Sequence, residues 1–362
     1  MELYQTGLIG SLILSFSLPF LITFLLVPVV FRVARAKDIT AHQNGRTCHK
    51  GNIPLMGGLA IFMGFYISSL VLVDIEFFNN FRYLLAGSIL ILMVGMKDDV
   101  MGISALKKLG GQLVAASILV FMGDIRFTSL HGFLGIKEIS YLWSVLLTMV
   151  TIIGVTNCFN LIDGVDGLAA GLGSTSLIAL ALWFGLTGQF NLMLLCIILT
   201  GALLAFLPFN LRSNGRKMFM GDTGSLGLGF IMAYLLIEFN QTNIGITYPY
   251  DLVSAPAVSI GNVFVPVFDT LRVFCLRIMK RKSPFCADKI HTHHNLLELG
   301  LSHGQTSLLL VTLNAGFIIL SFYSHYLGTT TLLLVLLSLG TVIFFLPNLR
   351  IKGKKQEIGD RR

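Results

Sequence analysis

Charged residues are scarce in this sequence. Asp, Glu, Lys and Arg make up 12% of its 362 residues, whereas hydrophobic residues make up 54%. A soluble domain has about 25% charged residues, so the composition excludes an ordinary soluble protein. Apolar runs long enough to cross a bilayer, roughly 20 residues each, recur along the chain. We therefore predict an all-α fold, a polytopic membrane bundle.

The sequence also lacks closely spaced cysteine pairs and internal repeats. The five cysteines include no CxxC pair, which argues against a disulfide framework and a zinc site. No basic residue precedes the first apolar run, whereas Arg32, Arg35 and Lys37 follow it. This order favours a retained first helix with its N-terminus outside. The basic composition carries no nucleic-acid signature.

The apolar runs predict about eleven transmembrane helices. We expect them to form one transmembrane domain over residues 1–349, followed by a basic tail at 350–362. The predicted spans are 8–31, 55–74, 82–97, 109–123, 141–161, 168–187, 191–210, 225–239, 254–279, 306–325 and 329–347. With the N-terminus outside, 23 of the 26 Lys and Arg fall on one side. The positive-inside rule assigns that side, and the C-terminus with it, to the cytoplasm.

Acidic residues gather on this same side. Asp98 and Asp99 are adjacent at the end of a predicted helix, where they repel each other and favour a cation. Mg²⁺ is commonly held by one or two carboxylates together with substrate phosphates. Asp222 with Asp98 or Asp99 could supply them. Taken singly, each acid also fits a solvated loop residue or a helix cap.

Two glycine-containing segments lie on the predicted cytoplasmic side. In FMGDTGS, residues 219–225, Gly221 and Gly224 flank Asp222. Glycines allow a ligand to approach the backbone, and a helix N-terminus suits phosphate. In HKGNIPLMGG, residues 49–58, His49 is a loop side chain that could contact an anionic substrate.

A third segment, NLIDGVDGLAAG, covers residues 160–171. If it is helical, the spacing of Asp163 and Asp166 places both carboxylates on one face. Asn160 adds an amide that can hydrogen-bond a ligand. A turn with a helix cap explains one of these acids but not both.

A histidine cluster follows the ninth predicted span. Arg277 and Arg281 precede the sequence His291-Thr-His293-His294. Basic residues at a helix end are favoured anyway, and alone they indicate topology and lipid contact. The histidines could bind a metal, but the acids offer a harder site. Together, histidines and arginines fit a phosphate pocket better.

These segments resemble motifs of the polyprenyl-phosphate N-acetylhexosamine-1-phosphate transferase family. The matching stretches are HKGNIPLMGG, the Asp98–Asp99 pair, NLIDGVDGLAAG, FMGDTGS and SPFCADKIHTHH, which occur in the family's order. Family members are membrane enzymes that transfer a sugar 1-phosphate from a UDP-sugar to undecaprenyl phosphate and release UMP. They depend on Mg²⁺ or Mn²⁺. Direct transfer and a route through an aspartyl-phosphate both fit the sequence.

The resemblance implies metal binding at Asp222 and roles for two further sets of residues. The predicted catalytic or nucleotide-site residues are Asp98, Asp99, Asp163, Asp166, His291, His293 and His294. The predicted substrate-binding residues are His49, Asn160, Arg277 and Arg281.

Within the family, the chain resembles the branch that starts O-antigen, common-antigen or teichoic acid units on the cytoplasmic face of a bacterial inner membrane. Its expected partners are UDP-GlcNAc, undecaprenyl phosphate and membrane lipid, with no nucleic acid. The sequence is also compatible with a homodimer. The branch that transfers phospho-MurNAc-pentapeptide typically has three consecutive histidines, whereas Thr292 interrupts them here. The GlcNAc branch more often has Ile at that position. The alternative from another class is a secondary transporter, although transporter sites tend toward the bilayer midplane.

Overall fold

A computed structural model describes residues 2–40, 53–74, 78–212, 215–281 and 290–359, and most of these residues are helical. Two isolated β-bridges, Thr40 with Pro54 and Ser129 with Glu138, are its extended pairings there. The α-helices of the described ranges are α1 (Glu2–Ala36), α2 (Gly57–Leu72), α3 (Phe78–Met101), α4 (Ala105–Ser117), α5 (Tyr141–Ile162), α6 (Leu168–Leu186), α7 (Phe190–Asn210), α8 (Gly221–Asn243), α9 (Ala255–Asn262), α10 (Phe264–Met279), α11 (Thr292–Glu298), α12 (His303–Tyr323) and α13 (Thr329–Gly359).

Membrane-capable helices dominate this part of the chain. Seven are long and apolar enough to cross a bilayer, and α9 with α10 forms an eighth span if the bent pair counts as one. The all-helical membrane fold is therefore confirmed, whereas the count of about eleven and the orientation of the termini stay predictions. The described cysteines, 158, 196 and 275, are free thiols.

Helix α8 lies at the centre of the bundle. It packs against α2, α3, α5, α6 and α9. Small residues allow membrane helices to approach closely, and the contact of α8 with α2 is of this kind. A Cβ on Gly58 would lie 2.1 Å from the backbone nitrogen of Gly224. The backbone N–H of Gly58 also donates to the carbonyl of Met220 at 2.8 Å. These contacts set the N-terminal end of α8 against the start of α2.

Gly58→Ala should therefore destabilise the fold. The new methyl group would meet backbone atoms of α8, which cannot move aside as a side chain can, and overpacking of this kind costs about 1–3 kcal/mol. The thermal unfolding midpoint in detergent should fall for Gly58→Ala. The matched control is Gly316→Ala in α12, because a Cβ there has no neighbour within 4 Å. An equal midpoint for the two variants would contradict the close contact.

The α9–α10 span is broken by a bend of 84°. A break inside a bilayer frees backbone groups, and these must find partners within the protein. The side chain of Asn314 accepts from the N–H of Val265 and donates to the carbonyl of Asn262, both at 3.1 Å. The hydroxyl of Ser176 donates to the same carbonyl at 2.6 Å. These bonds satisfy the break and set the direction of α10.

Candidate active site

Four polar side chains from four helices meet at one end of the bundle. The Lys108 Nζ lies 3.0 Å from Asp98 Oδ2 and 3.1 Å from Asn160 Oδ1, and it forms an ion pair with Asp222. The Asn160 amide donates to Asp222 Oδ1 at 2.7 Å and to the Ser225 hydroxyl at 2.9 Å. The structure thus brings together Asp98, Asn160 and Asp222, which the sequence separates by up to 124 positions.

Asp99 faces a different set of partners. Its carboxylate accepts bonds from the backbone N–H groups of Asp222 at 2.8 Å and Thr223 at 3.0 Å, and from the Thr223 hydroxyl at 2.5 Å. Asp99 therefore caps the N-terminus of α8 from outside that helix. The cap takes up N–H groups that could otherwise bind phosphate at this helix end.

Gly221 makes this cap sterically accessible. Its φ of +72° lies in the left-handed region, and a Cβ there would sit 2.6 Å from Asp99 Oδ2. A side chain at this position would be strained and would also push Asp99 away. The glycine before Asp222 thus serves the contact between α3 and α8.

The predicted helix face of Asp163 and Asp166 does not form, because the residues between α5 and α6 form turns. Asp163 follows the last residue of α5. Burial raises the pKa of its carboxyl well above the usual range, and the nearby negative charges of Asp222 and Asp99 add to this effect. Asp166 instead forms an ion pair with Lys217 at 2.5 Å and lies 3.5 Å from His303 Nδ1.

Asp269 on α10 bonds the first residues of the histidine cluster. His291 Nδ1 lies 2.8 Å from Asp269 Oδ2, and the N–H of Thr292 donates to Oδ1 at 3.0 Å. Arg272 forms a salt bridge with Asp269 at 2.9 Å and donates to the carbonyl of Ile290 at 2.7 Å. The broken span therefore positions the N-terminus of α11.

The other two histidines extend this cluster toward Asp163. A Cβ on Gly164 would lie 2.7 Å from His293 Nε2, so the glycine leaves room for this ring. The ring centroids of His293 and His294 are 4.3 Å apart. Burial and the neighbouring histidine lower the pKa of His293 to about 3. His293 is therefore uncharged at neutral pH and can offer hydrogen bonds but no positive charge.

The remaining predicted residues lie further out or outside the description. Arg277 is buried, with its guanidinium 6.0 Å from the ring centroid of Phe274. Arg281 is exposed beyond the end of α10. His49 lies outside the described residues, as do residues 283–289 of the stretch SPFCADKIHTHH.

Sequence reasoning missed three basic residues that touch the predicted acids, namely Lys108, Lys217 and His303. It also missed Arg272, which touches Asp269 beside the histidine cluster. Lysine and arginine on a cytoplasmic side indicate topology first, and this general signal obscures a specific one. Only their contacts distinguish them, since Lys108 bonds Asp98, Asn160 and Asp222 at once. His303 lies outside every motif of the sequence, yet it lies beside Asp166.

The donor set around Lys108 suits a hard cation. Carboxylates of Asp98 and Asp222 and the amide oxygen of Asn160 already surround one positive charge. In the described part of the chain, no three His, Cys, Asp or Glu residues form a ready-made metal cage. Mg²⁺ commonly combines few protein carboxylates with substrate phosphates, and the oxygen donors around Lys108 fit that preference.

An apolar cavity of about 360 Å³ lies between α5 and the broken span. Its lining extends from Cys158, near the end of α5, to Phe127 and Phe133 in the segment between α4 and α5. Val267 and Leu271 of α10 form part of the wall. The cavity can take a flexible hydrocarbon chain. Asp269 lies on α10, the helix that forms this part of the wall.

The chain is similar in sequence to known transferases. The model of glycosyl transferase family 4 matches residues 81–240. A decaprenyl-phosphate N-acetylglucosaminephosphotransferase of Mycobacterium leprae (strain TN) is 32% identical over 313 residues, which cover 80% of this chain and 78% of the relative. An undecaprenyl-phosphate alpha-N-acetylglucosaminyl 1-phosphate transferase of Escherichia coli (strain K12) is 29% identical over 340 residues, 92% of this chain and 89% of the relative.

Proposed function

The chain belongs to glycosyl transferase family 4, and on that premise we propose that it transfers N-acetylglucosamine 1-phosphate from UDP-GlcNAc to undecaprenyl phosphate. UMP is the second product, and the lipid-linked sugar starts a cell-envelope polysaccharide. The reaction takes place at the cytoplasmic face of a bacterial inner membrane. The observation that carries this proposal is the meeting of Asp98, Lys108, Asn160 and Asp222 at one end of the bundle.

Phosphoryl transfer between two anions needs positioning and charge neutralisation more than covalent chemistry from the protein. Mg²⁺, or Mn²⁺ in its place, would be held by Asp222 and would supply neutralisation of the diphosphate. Lys108 adds a positive charge at the same point. Asp99 keeps the first turn of α8, and with it Asp222, in position.

We assign Asp98 to the lipid phosphate, which is the acceptor of the reaction. It orients the lipid phosphate or takes its proton, and an oxygen of that phosphate attacks the sugar-linked phosphorus in line. The bond from this phosphorus to the UMP oxygen breaks, so UMP leaves with the electron pair. His291, held by Asp269, donates to the phosphates as their charge redistributes. His293 contributes a neutral hydrogen bond.

The apolar cavity supports the choice of a polyprenyl acceptor. Its walls are almost entirely hydrocarbon, and Val267 and Leu271 lie on the same helix as Asp269. Burial of apolar chain contributes about 25 cal/mol for each Å² removed from water. The lipid phosphate would reach the charged cluster, formed by Asp98, Lys108, Asn160 and Asp222, from the bilayer while the first isoprene units occupy this cavity.

The purified protein should release UMP from UDP-GlcNAc when undecaprenyl phosphate and Mg²⁺ are present. UDP-GalNAc and UDP-MurNAc-pentapeptide are the comparison donors, and omission of the lipid is the control. Release from the pentapeptide donor alone would keep the reaction but assign the protein to peptidoglycan synthesis. No UMP from any donor, in folded protein, would contradict the proposal and favour the transporter, which ion-dependent uptake into proteoliposomes would then test.

A further inference from the structure

Two amide side chains form a reciprocal pair beside the charged cluster. Gln112 on α4 donates from Nε2 to Asn157 Oδ1 at 3.2 Å, and Asn157 on α5 donates from Nδ2 to Gln112 Oε1 at 2.8 Å. Gln112 is 2% exposed. Neither residue belongs to the charged cluster or contacts its members through the bonds described above, so the pair has no part yet in the proposed reaction.

Helical spacing connects this pair to the cluster. Gln112 follows Lys108 by four residues on α4, and Asn157 precedes Asn160 by three on α5, so each lies on the same helix face as its neighbour. Lys108 and Asn160 are themselves bonded at 3.1 Å. Helices α4 and α5 are thus joined by two successive layers of polar contacts, and the cluster layer is one turn from the amide layer.

The amide layer specifies how α4 sits on α5. A buried polar group without a partner costs about 1–3 kcal/mol, and two amides that face each other avoid this cost in one register only. A shift of α4 along α5 would separate both bonds at once. Lys108 needs such support, because its ammonium is carried on a flexible four-carbon stem and has to reach both Asp98 and Asp222.

We propose that Gln112 and Asn157 are positioning residues that hold Lys108 between Asp98 and Asp222. The catalytic consequence rests on the proposed function, whereas the effect on the position of Lys108 does not. A displacement of about 1 Å in an active site can reduce the rate about 100-fold. Loss of the pair should therefore lower kcat about 10- to 100-fold, while KM for UDP-GlcNAc changes less than about twofold.

The kinetic test compares Gln112→Met, Asn157→Leu and the double exchange Gln112→Asn with Asn157→Gln. The exchange retains both amides and the combined length of the two side chains, so it should restore kcat to near the original value. Gln241→Met is the matched control. Gln241 lies near the C-terminal end of α8, far from Asp222, and hydrogen-bonds Thr128 in the segment between α4 and α5. Unchanged kcat in both single variants would overturn the proposal, as would an exchange variant no better than they are.

A second readout follows Lys108 directly and needs no activity. An amine-reactive label, quantified by mass spectrometry without substrate, should modify Lys108 several-fold faster in Gln112→Met and Asn157→Leu than in the unsubstituted protein. Exposed Lys107 is the internal reference. The exchange variant should return Lys108 to slow labelling, and fast labelling there would contradict the proposal even if the single variants fail to fold. Absence of UMP release in the unsubstituted protein would instead contradict the proposed function.

Discussion

Asp222→Asn should reduce UMP release by about 10³-fold while the protein stays folded. The substitution keeps the shape of the side chain and removes the charge that faces Lys108. The bond in which the backbone N–H of Asp222 donates to Asp99 is unaffected. The substitution should therefore lower the rate of UMP release and leave the stability of the fold unchanged.

The measurement is UMP release over a range of Mg²⁺ concentrations, with the thermal unfolding midpoint recorded for the same preparation. Asp124→Asn is a matched control, because Asp124 is an exposed carboxylate paired with Arg126 between α4 and α5. It should retain full activity. Retained activity of Asp222→Asn at saturating Mg²⁺ would remove Asp222 from the metal site.

Asp98→Asn and Asp99→Asn should fail in different ways, although the two residues are adjacent. Asp98 faces Lys108 at 3.0 Å, and loss of its negative charge should lower kcat about 10²- to 10⁴-fold, the usual contribution of acid–base catalysis. Asp99 caps α8, and an amide nitrogen there would oppose N–H donors. Asp99→Asn should cost at least the roughly 0.5–2 kcal/mol of a helix cap.

Unfolding midpoints and kcat measured together on both variants distinguish these roles. Asp98→Asn should lose activity at an almost unchanged midpoint, whereas Asp99→Asn should lower the midpoint and lose activity as α8 moves. A normal midpoint for Asp99→Asn together with a lowered one for Asp98→Asn would reverse the assignment. Equal midpoints and equal losses would assign both carboxylates to the substrates.

Composition was sufficient to predict the class of fold. In hydrocarbon every backbone group must be bonded within the protein, so long apolar runs become helices. Predicted boundaries such as 141–161 and 168–187 agree closely with α5 (Tyr141–Ile162) and α6 (Leu168–Leu186). The bend between α9 and α10 could not be predicted, because the groups that satisfy it come from Ser176 and Asn314 on other helices.

The amino-acid pattern alone was enough to identify a helical membrane protein and to single out its unusual acids and histidines. It also determined the family, because five motifs occur in the family's order. The partners of these residues could be read only from the folded chain: Asp98 faces Lys108, Asp99 caps α8, and Asp166 pairs with Lys217. Chain position and residue type set the local helix, whereas the charge environment of a carboxylate depends on side chains that distant segments bring within a few ångströms.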